Sequence, residues 1–511
     1  MSGAGDNPIG DPTAGPRGRA ALAGGVHGAD ALAPLTAVVL DALRAGAVRR
    51  GGPLPGGGPE GVEERFGALE VLPRHGVGAE TALRELVELV AEGAADPADP
   101  ACAAHLHCPP LAVAAAADLA ASALNPSMDS WDQAPAATTV ERAVTAELAR
   151  LVYRRGPGSP GPDALITSGG TESNLLGLLL AREEARAAGG RTLRVVCGAT
   201  AHHSVRRAAW LLGLPEPVAV ECPGGRLDPE AVRGALAALP AGAAALVVAT
   251  AGTTDEGLID PLPALADAAA AHRARLHVDA AYGGPLLFSE RLAPRLAGVE
   301  RADSVTCDLH KLGWQPVAAG VLAVADARYL APLRLTADYL NADDDTEAGL
   351  PDLLGRSLRT SRRPDALKIA ATLRALGRDG MAALVERCVA TAEELAARID
   401  AHPGLRRRPG GTGISTVLFR PTAADRLPPE QGDALVAEVR RRLLQEGRAV
   451  LGRARAEDGE RGGARLWLKA TLLHPHTRAA DFAGLLDLAA EPVTPVLPAP
   501  RTTARTDGGT V

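Results

Sequence analysis

Arg275-Leu276-His277-Val278-Asp279-Ala280-Ala281-Tyr282 and, further on, Asp303-Ser304-Val305-Thr306-Cys307-Asp308-Leu309-His310-Lys311 both read as apolar strands running into residues that carry chemistry. Working outward, short apolar runs at 164–167, 193–197, 244–249 and 320–324 join the strands at 275–278 and 304–307. Helical spacing fills 172–187, 229–238 and 263–272. Strands alternating with helices predict an α/β fold with a mostly parallel sheet flanked by helices. In such sheets ligands bind beyond the carboxyl ends of the strands, where both quoted segments place their polar residues.

The 511-residue chain exceeds one ordinary domain. Residues 1–28 are Gly-, Pro- and Ala-rich and are expected to be disordered. Residues 29–140 read as an N-terminal helical segment with a substrate loop. Within it, 29–48 form an amphipathic helix with Leu32, Leu35, Val39, Leu40 and Leu43 on one side, and 52–60 form a flexible stretch. The large α/β domain covers 141–385. A small α+β domain follows at 386–491, with helices at 385–401 and 432–446 and strands at 416–419 and 465–471. The Pro- and Thr-rich tail 492–511 is expected to be loose.

Hydrophobic residues make up 46 %, charged residues 23 % and aromatics only 2 %, so Ala, Leu and Val must build the core. A net charge of −7 without a basic stripe argues against nucleic acid. Arg406-Arg407-Arg408, followed by Pro-Gly-Gly, reads as a solvated loop. Six scattered cysteines without a CxxC pair fit a reducing cytoplasm. No unbroken apolar run reaches membrane-spanning length and no signal peptide is expected, so a membrane is not an expected partner.

Ser168-Gly169-Gly170-Thr171-Glu172-Ser173-Asn174 follows a strand and opens a helix. It reads either as a phosphate cradle, with free N–H groups and the Thr171 hydroxyl, or as a plain turn with a Thr cap. Asp279 either caps the next element or holds a proton on a pyridine nitrogen, with small Ala281 leaving room for a flat ring. Lys311 is one of three lysines, with Lys368 and Lys469. It is a surface lysine or the amine of a Schiff base, which guanidinium cannot form. His202-His203 are open to three readings: zinc ligands, a capping pair, or an imidazole stacked on a cofactor ring. Thr250-Ala251-Gly252-Thr253-Thr254 ends another strand. His105, His107 and Cys108 suggest a metal site or a packed entry loop, and no fourth ligand is evident, so no metal is assigned.

In order, SGGTESN, AHHSV, ATAGTTDEGLID, HVDAAYGG, DLHK and GRSLRTSRRPDALK resemble the group II pyridoxal-phosphate decarboxylases, which act on glutamate, aromatic amino acids, histidine or 2,4-diaminobutyrate. The resemblance spans about residues 100–385, more faintly to 475. It implies a fold type I enzyme with pyridoxal 5'-phosphate as cofactor, bound to Lys311 as a Schiff base. Asp279 would pair with the pyridine nitrogen, His202 would stack on the ring and Ala281 would line the opposite face. Gly170, Thr171 and His310 would hold the phosphate, and Thr254 would lie near the ring substituents. Asp308 departs from the Asn of several relatives, which puts a phosphate role for it in doubt. The proton delivered to Cα would come from Tyr339, in Leu335-Thr336-Ala337-Asp338-Tyr339-Leu340-Asn341, with His310 in reserve.

The segments AHLHCPP (104–110) and NPSMDSWDQ (125–133) look most like bacterial 2,4-diaminobutyrate decarboxylases, with lysine decarboxylases of siderophore pathways close behind. Asp129 and Asp132 either greet the second ammonium of a diamino acid or sit in a helix-capping loop. The resemblance further implies a homodimer wrapped by N-terminal helices. Competing expectations are an aromatic amino acid or glutamate decarboxylase, an aldolase, desulfurase or aminotransferase on the same fold, and a non-catalytic scaffold.

Overall fold

The computed structural model describes residues 21–67, 69–154, 161–335, 337, 340–459 and 462–493. The expected disordered ends at 1–28 and 492–511 therefore lie mostly outside the described residues.

Five helices lead in: α1 (Gly28–Arg50), α2 (Gly58–Phe66), α3 (Ala79–Gly93), α4 (Ala112–Leu124) and α5 (Pro135–Tyr153). α1 packs along α3 at small residues. A Cβ on Gly46 would lie 2.6 Å from Glu88 O and 2.7 Å from Ala91 Cβ. Of the predicted apolar side, Leu32, Leu35 and Val39 are half-buried while Leu40 and Leu43 are exposed. By length and composition α1 is apolar enough to cross a membrane, although Asp30, Asp41 and Arg44 interrupt its apolar residues. It also carries the Asp41–Arg44 ion pair at 2.9 Å.

The stretch at 52–60 is not the flexible linker expected from its glycines and prolines. Pro53 and Pro55 are buried. Pro53 O accepts from Asp96 N at 2.9 Å, and Gly57 N donates to Gln445 O at 2.8 Å. A Pro- and Gly-rich segment is held when its few polar backbone groups find fixed partners.

The large sheet comprises β1 (Asp163–Thr167), β2 (Leu193–Gly198), β3 (Val218–Val220), β4 (Ala244–Thr250), β5 (Arg275–Ala280), β6 (Ser304–Asp308) and β7 (Gly320–Val324). Their order is β1-β7-β6-β5-β4-β2-β3. Only β7 runs antiparallel to its neighbours. The carboxyl ends of the other strands therefore share one edge with the start of β7. Side chains alternate between faces, as a pleated strand requires. Leu246 and Val248 pack with α6 (Gly170–Ala187) and α7 (Ser204–Leu211). Val247 and Ala249 pack into the larger core with α5, α8 (Pro229–Ala237) and α9 (Leu262–Ala271). Every strand read from the sequence is present within two residues; β3 was not anticipated.

After a short α10 (Asp343–Glu347), α11 runs from Ala366 to Ala401, broken by a left-handed backbone at Gly377 (φ 64°). The pattern change read near 385 thus falls inside a helix. Met381, Val385 and Val389 enter the large core, and Leu395 and Ile399 enter the small one. The small domain packs α12 (Pro429–Gln445) and α13 (Ala483–Ala490) on a sheet ordered β10-β11-β9-β8. These strands are β8 (Leu405–Arg407), β9 (Thr416–Pro421), β10 (Gly452–Glu457) and β11 (Ala464–Thr471).

Candidate active site

Three of the motifs meet at the carboxyl edge. β1 ends at Thr167, and Ser168-Gly169-Gly170 turns directly into α6. Gly169 has φ 155°, and a Cβ there would lie 3.0 Å from His310 Cε1. A Cβ on Gly170 would lie 3.0 Å from Ala281 Cβ and 3.1 Å from Asp308 Oδ2. A side chain at either position would force these neighbours to give by a few tenths of an ångström, and at Gly169 the backbone itself disfavours one. The first turn of α6 has no side-chain cap, so its N–H groups and dipole remain available to an anion. Thr171 is exposed beside them.

β5 delivers Asp279, which is buried. Its Oδ1 accepts from Ala281 N at 3.1 Å and its Oδ2 from Asn174 Nδ2 at 2.8 Å. β6 delivers Asp308, His310 and Lys311. Lys311 Nζ lies 3.0 Å and His310 Nε2 3.5 Å from Asp308 Oδ2. The lysine loop is clamped from outside. Cys108 Sγ donates to His310 O at 3.3 Å. Buried Trp314, at φ 52°, donates from Nε1 to Leu473 O at 2.7 Å, and its own O accepts from Leu111 N at 2.9 Å. Cys108 thus belongs to the packed loop reading rather than to a metal set, and burial pushes its thiol up to about 12.

After β2, His202 Nδ1 lies 2.8 Å from Ser204 Oγ, and its ring is 4.0 Å from that of His203. Burial lowers its pKa, against the opposing pull of Asp279. The charges of Lys311 and Asp308 act on it as well. Thr254 is exposed beyond β4, and its O accepts from Lys469 Nζ of the small domain at 3.0 Å. Tyr339 lies outside the described residues. Asp129 accepts from Gln133 Nε2 at 2.8 Å, and Asp132 from Ser130 Oγ at 2.5 Å, a local network ahead of α5.

The residues fit the cofactor that the sequence implies. Two buried polar atoms at the glycine turn, Asp308 Oδ1 and His310 Nδ1, have no hydrogen-bond partner among the described residues. The uncapped α6 terminus suits a phosphate, Lys311 supplies an amine and Asp279 a buried carboxylate. The doubt over Asp308 takes a definite form: its carboxylate is engaged by Lys311 and His310 rather than turned to solvent. Sequence reasoning passed over Asn174, Ser204, His277, Thr306 and Lys469 as site residues. Asn174, Ser204, His277 and Thr306 stood inside quoted motifs, and Lys469 was flagged only by the scarcity of lysine.

Known proteins resemble this chain in sequence and fold. The sequence model described as "Pyridoxal-dependent decarboxylase conserved domain" matches residues 72–420. An L-2,4-diaminobutyrate decarboxylase of Rhizobium meliloti (strain 1021) is 40 % identical over 442 residues, covering 84 % of this chain and 86 % of the relative. The Acinetobacter baumannii protein of that name is 33 % identical over 417 residues, covering 76 % and 81 %. Among solved structures, the glutamate decarboxylase domain of a Vibrio parahaemolyticus diaminobutyrate-pyruvate transaminase and L-2,4-diaminobutyrate decarboxylase superposes with a TM-score of 0.77 at 31 % identity. That match covers 92 % of this chain and 96 % of the other. With its parallel sheet, its lysine and carboxylate at one edge and these relatives, the chain belongs to the pyridoxal-dependent decarboxylase family and is a pyridoxal-phosphate-dependent amino acid decarboxylase.

Proposed function

We propose that this enzyme removes the α-carboxylate of L-2,4-diaminobutyrate or a closely related diamino acid, releasing CO2 and a diamine. The observation that carries the site assignment is the meeting of Lys311, Asp308, His310, Ala281 and Gly170 at one sheet edge, with Asp279 at the end of the adjoining strand. The substrate assignment leans on the two relatives named L-2,4-diaminobutyrate decarboxylase.

When bound, pyridoxal phosphate supplies an electron sink for the pair left by the departing carboxylate. Lys311 would hold the cofactor through its side-chain amine. Asp279, fixed by two hydrogen bonds, keeps a proton on the pyridine nitrogen. The α6 terminus, Gly170, Thr171 and His310 would hold the phosphate. Ala281 and His202 would line the two sides of the space for the ring, with Thr254 nearby. Tyr339 delivers the proton to Cα, with His310 in reserve. A homodimer in the cytoplasm is the state we infer. Exposed Leu40, Leu43 and Val48 of α1, with Leu86 and Val90 of α3, form apolar surface that a second copy would cover. The six free thiols suit a reducing compartment.

The test is amine detection after incubation with diaminobutyrate, lysine, ornithine, tyrosine and glutamate. Diaminobutyrate should give the highest kcat/KM; a preference for glutamate or tyrosine would refute the diamino assignment. Lys311→Ala should abolish the visible absorbance of bound cofactor. Tyr339→Phe should keep that absorbance and lose amine output, and unchanged output removes Tyr339 from the reaction.

A further inference from the structure

Behind the cofactor side of the site, five polar side chains are almost wholly buried: Asn174 on α6, Ser204 on α7, His277 on β5, and Ser304 and Thr306 on β6. Buried polar groups persist only when donors meet acceptors, so the positions of their protons can be worked out in sequence.

The carboxylate of Asp279 accepts and does not donate. The Asn174 atom 2.8 Å from its Oδ2 must therefore be the amide nitrogen, which fixes the orientation of the amide. The second amide proton goes to Ser204 Oγ at 2.9 Å. Asn174 Oδ1 accepts from Thr306 Oγ1 at 2.8 Å and from His277 Nε2 at 3.0 Å. His277 Nδ1 then accepts from Ser304 Oγ at 2.8 Å. Burial pushes His277 down to about 4, so it is neutral near pH 7 and holds one tautomer. Ser204 Oγ already accepts from Asn174, and its own proton points to His202 Nδ1 at 2.8 Å. Ser204 N donates to the same nitrogen at 3.3 Å. Two donors on Nδ1 leave it a bare lone pair.

We propose that Asn174 is a positioning residue that couples Asp279 to His202: one amide orients the carboxylate and, through Ser204, fixes the His202 proton on Nε2. The inference rests on reading Asp279 and His202 as the two residues facing the cofactor. It deepens that reading by giving His202 a direction. The nitrogen left free for substrate is a donor. A donor holds the departing carboxylate, whereas a bare nitrogen there would take the Cα proton and divert the reaction from CO2 loss.

The tautomer can be read directly by nitrogen-15 NMR of histidine-labelled protein, with and without cofactor, assigning His202 by comparison with His202→Gln. Wild type should show Nε2 protonated and Nδ1 bare. Ser204→Ala, a small change that keeps Asn174 on Asp279, removes the shorter of the two donors to Nδ1 and leaves the backbone one, so it should raise the share of the Nδ1-protonated form. Asn174→Ala should do the same and also weaken pyridoxal phosphate binding about tenfold, the loss of roughly one oriented charged hydrogen bond. A wild-type His202 protonated on Nδ1, or a tautomer unchanged in both variants, overturns the coupling. If the tautomer responds as expected but the wild type never acquires the absorbance of bound cofactor, the hydrogen-bond chain stands and the reading of the site falls.

Discussion

Replacing Gly320 by alanine adds one methyl group at the start of β7, where that strand meets the glycine turn. The new Cβ would lie 2.4 Å from Gly169 Cα, 2.4 Å from Thr167 Oγ1 and 2.5 Å from Gly169 N. Carbon atoms pack comfortably at about 3.5–4.0 Å, so the turn must retreat by roughly 1 Å. The atoms met are mostly backbone, which cannot swing aside as a long side chain can. Overpacking of this kind costs about 1–3 kcal/mol. When the turn has to return to hold a phosphate, that cost appears as a roughly 5- to 150-fold weaker affinity. Titration of cofactor-free protein with pyridoxal phosphate, followed by visible absorbance, reads the affinity, and urea unfolding reads the stability. Gly234 of α8 is the matched control: it is exposed, helical and has nothing within 4 Å of a new Cβ. Gly234→Ala should stabilise by about 1 kcal/mol. A Gly320→Ala protein with wild-type affinity and an unchanged unfolding midpoint would refute the close-approach argument.

The buried Glu141–Arg362 pair, bidentate at 2.6 and 2.7 Å, should lose about 3–5 kcal/mol in Glu141→Ala, because the guanidinium is left buried and unpaired. Glu141→Leu with Arg362→Met should recover most of that loss; in urea unfolding, a single variant within 1 kcal/mol of wild type would contradict the reasoning. His277, held near pKa 4 against 6.5 when unfolded, takes up a proton more readily in the unfolded chain. Its contribution is therefore present above pH 6.5 and is lost as pH falls to about 4, amounting to about 3 kcal/mol. The stability difference between wild type and His277→Gln should shrink by that amount over this window, and a constant difference would count against it.

The main sheet was legible because its strands are runs of Val, Leu and Ala closed by Gly, Asp or Thr. β10 was not, although Gly452–Glu457 alternates buried and exposed positions faithfully. Its inward residues are Gly452, Ala454 and Ala456 and its outward ones Arg and Glu, types that do not announce a strand by propensity. β3 and β8, of three residues each, carry too little pattern to be read. Within the site, Lys311, Asp279 and Gly170 stood out because each closes or opens an element within a motif. The contacts that order them did not. Asn174 and Asp279 are 105 residues apart, and Lys469 and Thr254 are 215 apart. A single sequence gives no sign of such pairings, which arise only once the sheet brings its strand ends to one edge.

Among the described residues β1 is an edge strand that pairs with β7 alone, Asp163 lying opposite Val324. A ribosome makes β1 and the glycine turn roughly 160 residues before it makes the strand that braces them. At about 5–20 residues per second, that is a wait of roughly 8–30 s. During this time the phosphate cradle has neither its wall nor its lysine. Pyridoxal phosphate therefore cannot seed folding from the nascent amino-terminal half. Capture of the cofactor must come late, after β7 has docked, and nascent chains truncated before Gly320 should emerge without it.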